Sequence, residues 1–163
     1  MGTTINSINS VCYTQLALLS YNSTGWSAAK ADFINTVMLS HGILFCALQE
    51  HFKLESNLSK LDCFNGFEVF SVPAYKNNNF VHAGRPAGGL SLIYSDKFSK
   101  FATRLVCPNS HRVQGLKLNF PNGPVLFINT YIPTDPGCNN FGDNELLCSL
   151  HDVKYLIDNS GGN

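Results

Sequence analysis

Ile43-Leu44-Phe45-Cys46-Ala47-Leu48-Gln49-Glu50-His51 is the stretch on which the fold of this chain turns. The apolar run from Ile43 to Leu48 has the length of a strand buried on both faces and is too short for a helix. His41-Gly42 in front of it is a helix stop, and the polar Gln49-Glu50-His51 follows abruptly. A carboxylate therefore stands at the C-terminal end of a buried strand. Buried there without a cation or a donor, it would cost several kcal/mol.

Upstream, Gln15 to Tyr21 is a shorter apolar run that ends in the turn-prone Asn22-Ser23-Thr24-Gly25. Trp26 to Leu39 then carries Ala29, Phe33 and Val37 at helical spacing, with Ile34 and Met38 beside them. Strand, loop, helix and buried strand make a βαβ opening. Downstream, Lys53 to Leu61 reads as a short helix, Phe67 to Val72 as an alternating strand, and Pro73 to Arg85 as a polar, Asn-rich loop. Gly88-Gly89 opens a strand over Leu90 to Tyr94. Arg112 to Phe120 and Val125 to Tyr131 form a hairpin through Pro121-Asn122-Gly123. Asp143 to Ile157 closes as a helix with Leu146, Leu147, Leu150, Val153 and Leu156 on one side.

These elements predict an α/β fold, a layered sandwich with a mixed β-sheet and flanking helices. Residues 16–163 would form one domain behind a polar N-terminal extension, residues 1–15. The terminal Asn159-Ser160-Gly161-Gly162-Asn163 is a helix stop at a point where an α/β protein normally continues into another strand.

Composition narrows the function classes. Lysine plus arginine and aspartate plus glutamate each total 11 in 163 residues, so the net charge is zero and no global field draws the chain onto a polyanion. Any nucleic-acid contact must be local. The six cysteines lack the close pairs of zinc ribbons or thioredoxin-like sites and read as buried free thiols of an intracellular protein. The N-terminus has no cationic lead, and the apolar stretch behind it is broken by Thr14 and Gln15, so neither a signal peptide nor a membrane span is expected.

Three polar clusters follow apolar runs: Ser20-Tyr21-Asn22, Gln49-Glu50-His51, and Asn129-Thr130-Tyr131-Ile132-Pro133-Thr134-Asp135. Ligand sites of open α/β sheets gather outside the C-terminal strand ends, so all three can meet at one rim. An amide, a carboxylate and a phenol converging there are what a magnesium-dependent phosphodiesterase uses, because hard oxygens hold Mg²⁺. Taken singly, each has a plainer reading as a turn residue, a solvated charge or a packing ring.

Asn22 in Leu19-Ser20-Tyr21-Asn22-Ser23-Thr24-Gly25, Glu50 in Leu48-Gln49-Glu50-His51, the segment Gly84-Arg85-Pro86-Ala87-Gly88-Gly89-Leu90-Ser91-Leu92, and Asn129-Thr130-Tyr131-Ile132-Pro133 occur in a telling order and spacing. Together they resemble the endonuclease/exonuclease/phosphatase superfamily, most closely the apurinic-type endonuclease of LINE-type non-LTR retrotransposons. The resemblance covers the chain after about Leu16 and implies the N-terminal half of a four-layer fold. It implies Glu50 and Asn22 as ligands of Mg²⁺ (or Mn²⁺), and Glu50, Tyr131 and Asn22 as the catalytic set. Arg112 is expected to bind substrate.

DNA is the implied partner and the nucleus the implied location, with no membrane association. Thr24 and Thr134 stand where the DNA-repair members carry an acidic residue and Asn, which favours retrotransposon-type nicking over abasic-site repair. The family's Gly-Asp-x-Asn strand and terminal Ser-Asp-His are absent from this sequence. The chain is therefore expected to need the missing C-terminal half of the domain and to be inactive alone, with an apolar inner face exposed. The competing readings are a non-enzymatic fragment or domesticated binding module, and a superfamily phosphoesterase acting on a lipid or other phosphodiester.

Overall fold

Ser27 starts the first helix. Its hydroxyl accepts from the Lys30 amide at 3.3 Å, and helix α1 runs Ala28–Ser40 before His41 and a left-handed Gly42 end it. The computed structural model describes residues 16–76, 86–108, 110–132 and 141–161. The proposed extension, Asn77 to Arg85, the Pro133-Thr134-Asp135 end of the third polar cluster, Cys12, Cys138 and Gly162-Asn163 lie outside the described residues.

Strand β1 (Leu18–Asn22) precedes α1, and β2 (Phe45–Gln49) follows it, paired parallel to β1 with Asn22 opposite Gln49. That is the βαβ unit the sequence predicts. A 3-10 helix (Glu55–Leu61) leads to β3 (Phe67–Val72), β4 (Tyr75–Lys76), β5 (Pro86–Ala87) and β6 (Leu90–Ser95). Strand β6 runs antiparallel between β2 and β3, giving a mixed sheet of order β1-β2-β6-β3, while β4 and β5 pair separately. After a second 3-10 helix (Asp96–Phe101), β7 (Ala102–Val106), β8 (Val113–Phe120) and β9 (Gly123–Thr130) form an antiparallel sheet, and α2 (Phe141–Ser160) packs on it.

Three apolar cores separate the layers. Ile34 and Met38 of α1, with Leu61 and Phe64, cover Cys46, Leu48 and Ile93 on one face of the mixed sheet. On its other face Phe45, Leu92 and Tyr94 meet Leu116 and Leu118 of the second sheet. Val113 and Cys107 on the far side of that sheet meet Leu156 of α2. Helix, sheet, sheet, helix is the order, as the resemblance implied. Alternate residues of β2 enter opposite cores, which is why Ile43 to Leu48 is apolar without a break.

The structure corrects several expectations. Helix α1 buries Ala31, Ile34 and Met38, whereas Phe33 is half exposed and leans on Tyr21 at 5.9 Å. The row 31/34/38 wins because its mixed spacing of three and four stays on one face over two turns. In α2 the buried row includes Ser149 and Leu156, while Leu146, Leu147 and Leu150 are exposed. Leu156 seats over Gly115, where an added Cβ would lie 3.2 Å from its methyl.

The inner apolar faces of the two sheets cover one another, so the exposed inner face expected of this chain is not found among the described residues. Exposed large apolar side chains occur instead on β1 (Leu18), α1 (Phe33, Leu39), β7 (Val106), β9 (Val125) and α2. Cys46 and Cys107 are buried free thiols as expected, but Cys63 and Cys148 are exposed.

Candidate active site at the strand ends

The loops after β1 and β2 are zipped together by backbone. Ser23 N donates to Gln49 O at 2.8 Å and Gly25 N to Glu50 O at 2.7 Å, and the Lys30 ammonium reaches back from α1 to Gly25 O at 2.8 Å and to Ser23 O. Thr24, Glu50 and Phe52 have φ of 44°, 56° and 57°, and they are the non-glycine residues with positive φ among the described residues. Each such left-handed residue costs roughly 1–2 kcal/mol, and this strain is collected at one rim of the molecule.

Behind Glu50 the chain is held by His51, which is fully buried. Its Nδ1 accepts from the Lys53 amide at 2.9 Å, so Nε2 carries the proton and faces the carbonyls of Val72 at 3.2 Å and Leu90 at 3.3 Å. Burial lowers its pKa to about 4, against the opposing pull of those carbonyls. A neutral ring with both nitrogens occupied serves structure, and His51 is a core residue. Gly89 explains the paired glycines: an added Cβ would lie 2.4 Å from the His51 ring, and its φ is +88°. Gly88 O and Gly89 O in turn accept from Phe52 N at 3.1 Å and His51 N at 3.4 Å.

The third strand end reaches the rim through Asn129, whose side chain crosses from β9 to the mixed sheet. Its Nδ2 donates to Leu48 O and Ser91 O, both at 3.0 Å, and its Oδ1 accepts from Gln49 Nε2 at 2.8 Å. Tyr131, two residues on, donates its amide to Arg112 O at 3.0 Å, and its phenol faces the Glu50 carboxylate. Burial, and then the bond to Glu50 and its charge, push the Tyr131 phenol up to about 12, with Arg112 pulling the other way. Tyr131 is therefore a neutral donor at physiological pH.

The Arg112 guanidinium donates to the Tyr75 hydroxyl at 3.1 Å and lies 6.0 Å from the centroid of that ring, which stacks on His111 at 5.1 Å. Glu50, Tyr131 and Arg112 are thus brought together. Asn22 stands on the same rim, opposite Gln49, with its Oδ1 accepting from Thr24 N at 3.0 Å and Thr24 Oγ at 3.3 Å. Both its oxygen lone pairs are engaged in that turn, so what Asn22 offers the rim is its Nδ2 donor.

Among the described residues no group of three or more His, Cys, Asp and Glu side chains is placed to enclose a metal ion. A magnesium ion does not require one. It is commonly held by one or two carboxylates together with waters and substrate phosphates, and Glu50 is the carboxylate at this rim.

Sequence reasoning missed the roles of Gln49 and Asn129. Their signal was weak but present, since each is a polar residue within two positions of a singled-out one and at the end of an apolar strand.

No protein-family model matches the sequence, and no curated protein matches it either. Solved structures do. An AP endonuclease from Leishmania major superposes with a TM-score of 0.60 at 15% identity, over 89% of this chain and 47% of that one. The chain has the endonuclease/exonuclease/phosphatase fold. Two further structures with this fold are the endonuclease domain of TRAS1, a telomere-specific non-LTR retrotransposon (TM-score 0.55, 12% identity, 90% and 55% covered), and the 3′ phosphatase NExo from Neisseria bound to a product DNA hairpin (0.57, 10%, 88% and 51%). The chain spans about half the length of these endonuclease/exonuclease/phosphatase structures. No helix among its described residues is long and apolar enough to cross a membrane.

Proposed function

We propose that this chain carries the carboxylate side of a metal-dependent phosphodiesterase site that nicks DNA, of the kind that opens a retrotransposon target in the nucleus. The observation that supports this reading is the meeting of Tyr131 and Glu50 at the ends of strands from two different sheets, close enough for the carboxylate to push the phenol upward, with Arg112 beside them.

Glu50 would hold Mg²⁺ or Mn²⁺, with Asn22 beside it. When bound, the cation supplies Lewis-acid polarisation of the phosphate and neutralises its developing charge. The remaining work falls to the chain's own residues. Tyr131, kept neutral, donates its hydroxyl toward Glu50 or a phosphate oxygen, and Arg112 offers a guanidinium for a second oxygen. Asn22 adds an amide donor on the same rim. His51 is buried and fully hydrogen-bonded, so the base that takes a proton from water must come from beyond these residues. The 163-residue chain alone is accordingly expected not to nick supercoiled plasmid.

The test separates binding from turnover. Mn²⁺ titrated into the chain and followed by the loss of its free electron-paramagnetic signal should show a site that Glu50→Gln weakens by about tenfold or more. Mn²⁺ binding indifferent to Glu50→Gln would remove the metal role. Plasmid nicking by the chain alone, abolished by Glu50→Ala, would show that the site is complete without a further segment.

A further inference from the structure

A cleft of about 320 Å³ opens beside the strand-end rim, lined by Trp26, Ser27, Ala28, Ala31 and Asp32 on one side and by Lys53, Lys60 and Cys63 on the other. Its lining residues follow closely in sequence on those of the candidate site. Trp26 follows Gly25, whose amide bonds to Glu50 O, and Lys53 is three residues after Glu50.

The tryptophan is held in place. Its Nε1 donates to Lys60 O at 3.3 Å and its ring packs on Phe64 with centroids 6.0 Å apart. Lys53 is fixed at its backbone, its amide on His51 Nδ1 at 2.9 Å and its carbonyl accepting from Ala74 N at 2.8 Å. Neither lysine is in an ion pair among the described residues. Against these two ammonium groups the lining contains one carboxylate, Asp32. The first turn of α1, at the edge of the cleft, holds no acidic residue that would occupy its positive end.

We infer that this cleft takes one nucleotide of the strand to be cut, its base on the Trp26 ring and its phosphate between Lys53 and Lys60. An indole supplies a stacking surface that accepts any base, and paired ammonium groups supply a phosphate seat. The volume is at the lower end of the ~300–1,000 Å³ usual for small-ligand sites, which suits one nucleotide and not a duplex. Asp32 can accept from an exocyclic amine of the base. The inference rests on the nuclease reading for its choice of ligand, while its residues are separate from Glu50, Tyr131, Asn22 and Arg112.

Trp26 is the single tryptophan of the chain, so its fluorescence reports on this cleft alone. The 163-residue chain would be titrated in EDTA with deoxyadenosine monophosphate, deoxyadenosine, inorganic phosphate and single-stranded dA4. Saturable quenching is expected with the monophosphate, at least about tenfold weaker quenching with deoxyadenosine or phosphate alone, and tighter binding of dA4 than of the monophosphate. Lys53→Met and Lys60→Met should each weaken the monophosphate severalfold and leave deoxyadenosine unchanged.

No saturable quenching, or deoxyadenosine equal to its monophosphate, would overturn the proposal. Binding of dA4 no tighter than that of the monophosphate would overturn the assignment to a strand. Glu50→Gln separates the two readings. A quench that survives it in a chain with no Glu50-dependent Mn²⁺ site would keep the cleft and sink the nuclease, whereas a quench lost with Glu50 would place the ligand at the strand ends and sink the cleft.

Discussion

The seam between the two sheets has two ends built on different principles. At the end remote from the candidate site it is aromatic: Phe45 stacks on Phe127 at 4.6 Å, tilts against Phe98 at 5.0 Å and lies over Tyr94 at 6.5 Å, and Phe98 meets Phe120 edge-on. At the site end it is polar. Asn129 bridges to Leu48 O, Ser91 O and Gln49, Gln114 Nε2 donates to Phe70 O at 2.9 Å, and the hydroxyls of Ser71 and Ser91 pair at 2.8 Å.

The aromatic end is indifferent to direction, since apolar contact stabilises by area. The polar end fixes register, because its donors reach acceptors on named residues of the facing strands, as Asn129 Nδ2 reaches Leu48 O and Ser91 O. Stability is concentrated away from the site and alignment next to it. The polar end even tolerates a buried acceptor, Gln114 Oε1, with no partner among the described residues.

The largest expected effect comes from the aromatic end. Phe45→Ala removes a ring at 2% exposure with three aromatic neighbours, and truncations of this kind cost about 3–5 kcal/mol. Denaturant unfolding should show that loss. Below the lowered midpoint, the protection of the Gly25 and Tyr131 amides against hydrogen exchange should fall with global stability and no further. If those amides open independently in Phe45→Ala, the two ends are coupled and the contrast fails.

A second effect belongs to the site end and depends on pH. His51 has a folded pKa of about 4 against an ordinary 6.5, the shift caused chiefly by burial. The unfolded chain takes up a proton below about pH 6.5 while the folded chain does not, so the stability due to His51 is complete above 6.5. It declines as pH falls from 6.5 to about 4 and is constant below that. The accumulated loss is on the order of 3 kcal/mol. Unfolding free energies measured across that window should slope accordingly, and His51→Gln should flatten the slope. An equal slope in the variant would assign it to other groups.

The same two ends divide what could be read from the sequence. The βαβ unit and the Pro121-Asn122-Gly123 hairpin were legible because period, run length and turn chemistry are local, whereas the aromatic cluster joins residues far apart in sequence. Strand β7 was not. Its residues Thr103 and Arg104 are polar and exposed, so it carries no apolar alternation, and it is a strand only because β8 pairs with it. The convergence of Asn22, Glu50 and Tyr131 on one rim followed from strand ends pointing the same way. The role of Asn129 did not, because its partners Leu48 and Ser91 are 81 and 38 residues away, and no local pattern encodes them. His51 was equally opaque: only the tertiary structure shows that its ring fills the space a side chain at position 89 would need.

Asn129→Leu tests the polar end with a smaller change in stability and a larger one in alignment. The substitution keeps the volume but leaves two carbonyls and the Gln49 amide without their partner, and such orphaned groups cost about 1–3 kcal/mol in total where strand bonds and water compensate in part. The midpoint shift should thus be smaller than that of Phe45→Ala. Because Asn129 ties β9 to β2 and β6, its removal frees the end that carries Tyr131 from the end that carries Glu50. Exchange of the Tyr131 amide, which bonds to Arg112 O, should then quicken by more than the global loss accounts for. The phenol should also titrate nearer the ordinary tyrosine value, since part of its upward shift comes from the bond to Glu50. If both readouts merely track global stability, Asn129 is a stabilising contact like any other, and the alignment of the rim must be credited to the backbone zipper between Ser23-Gly25 and Gln49-Glu50.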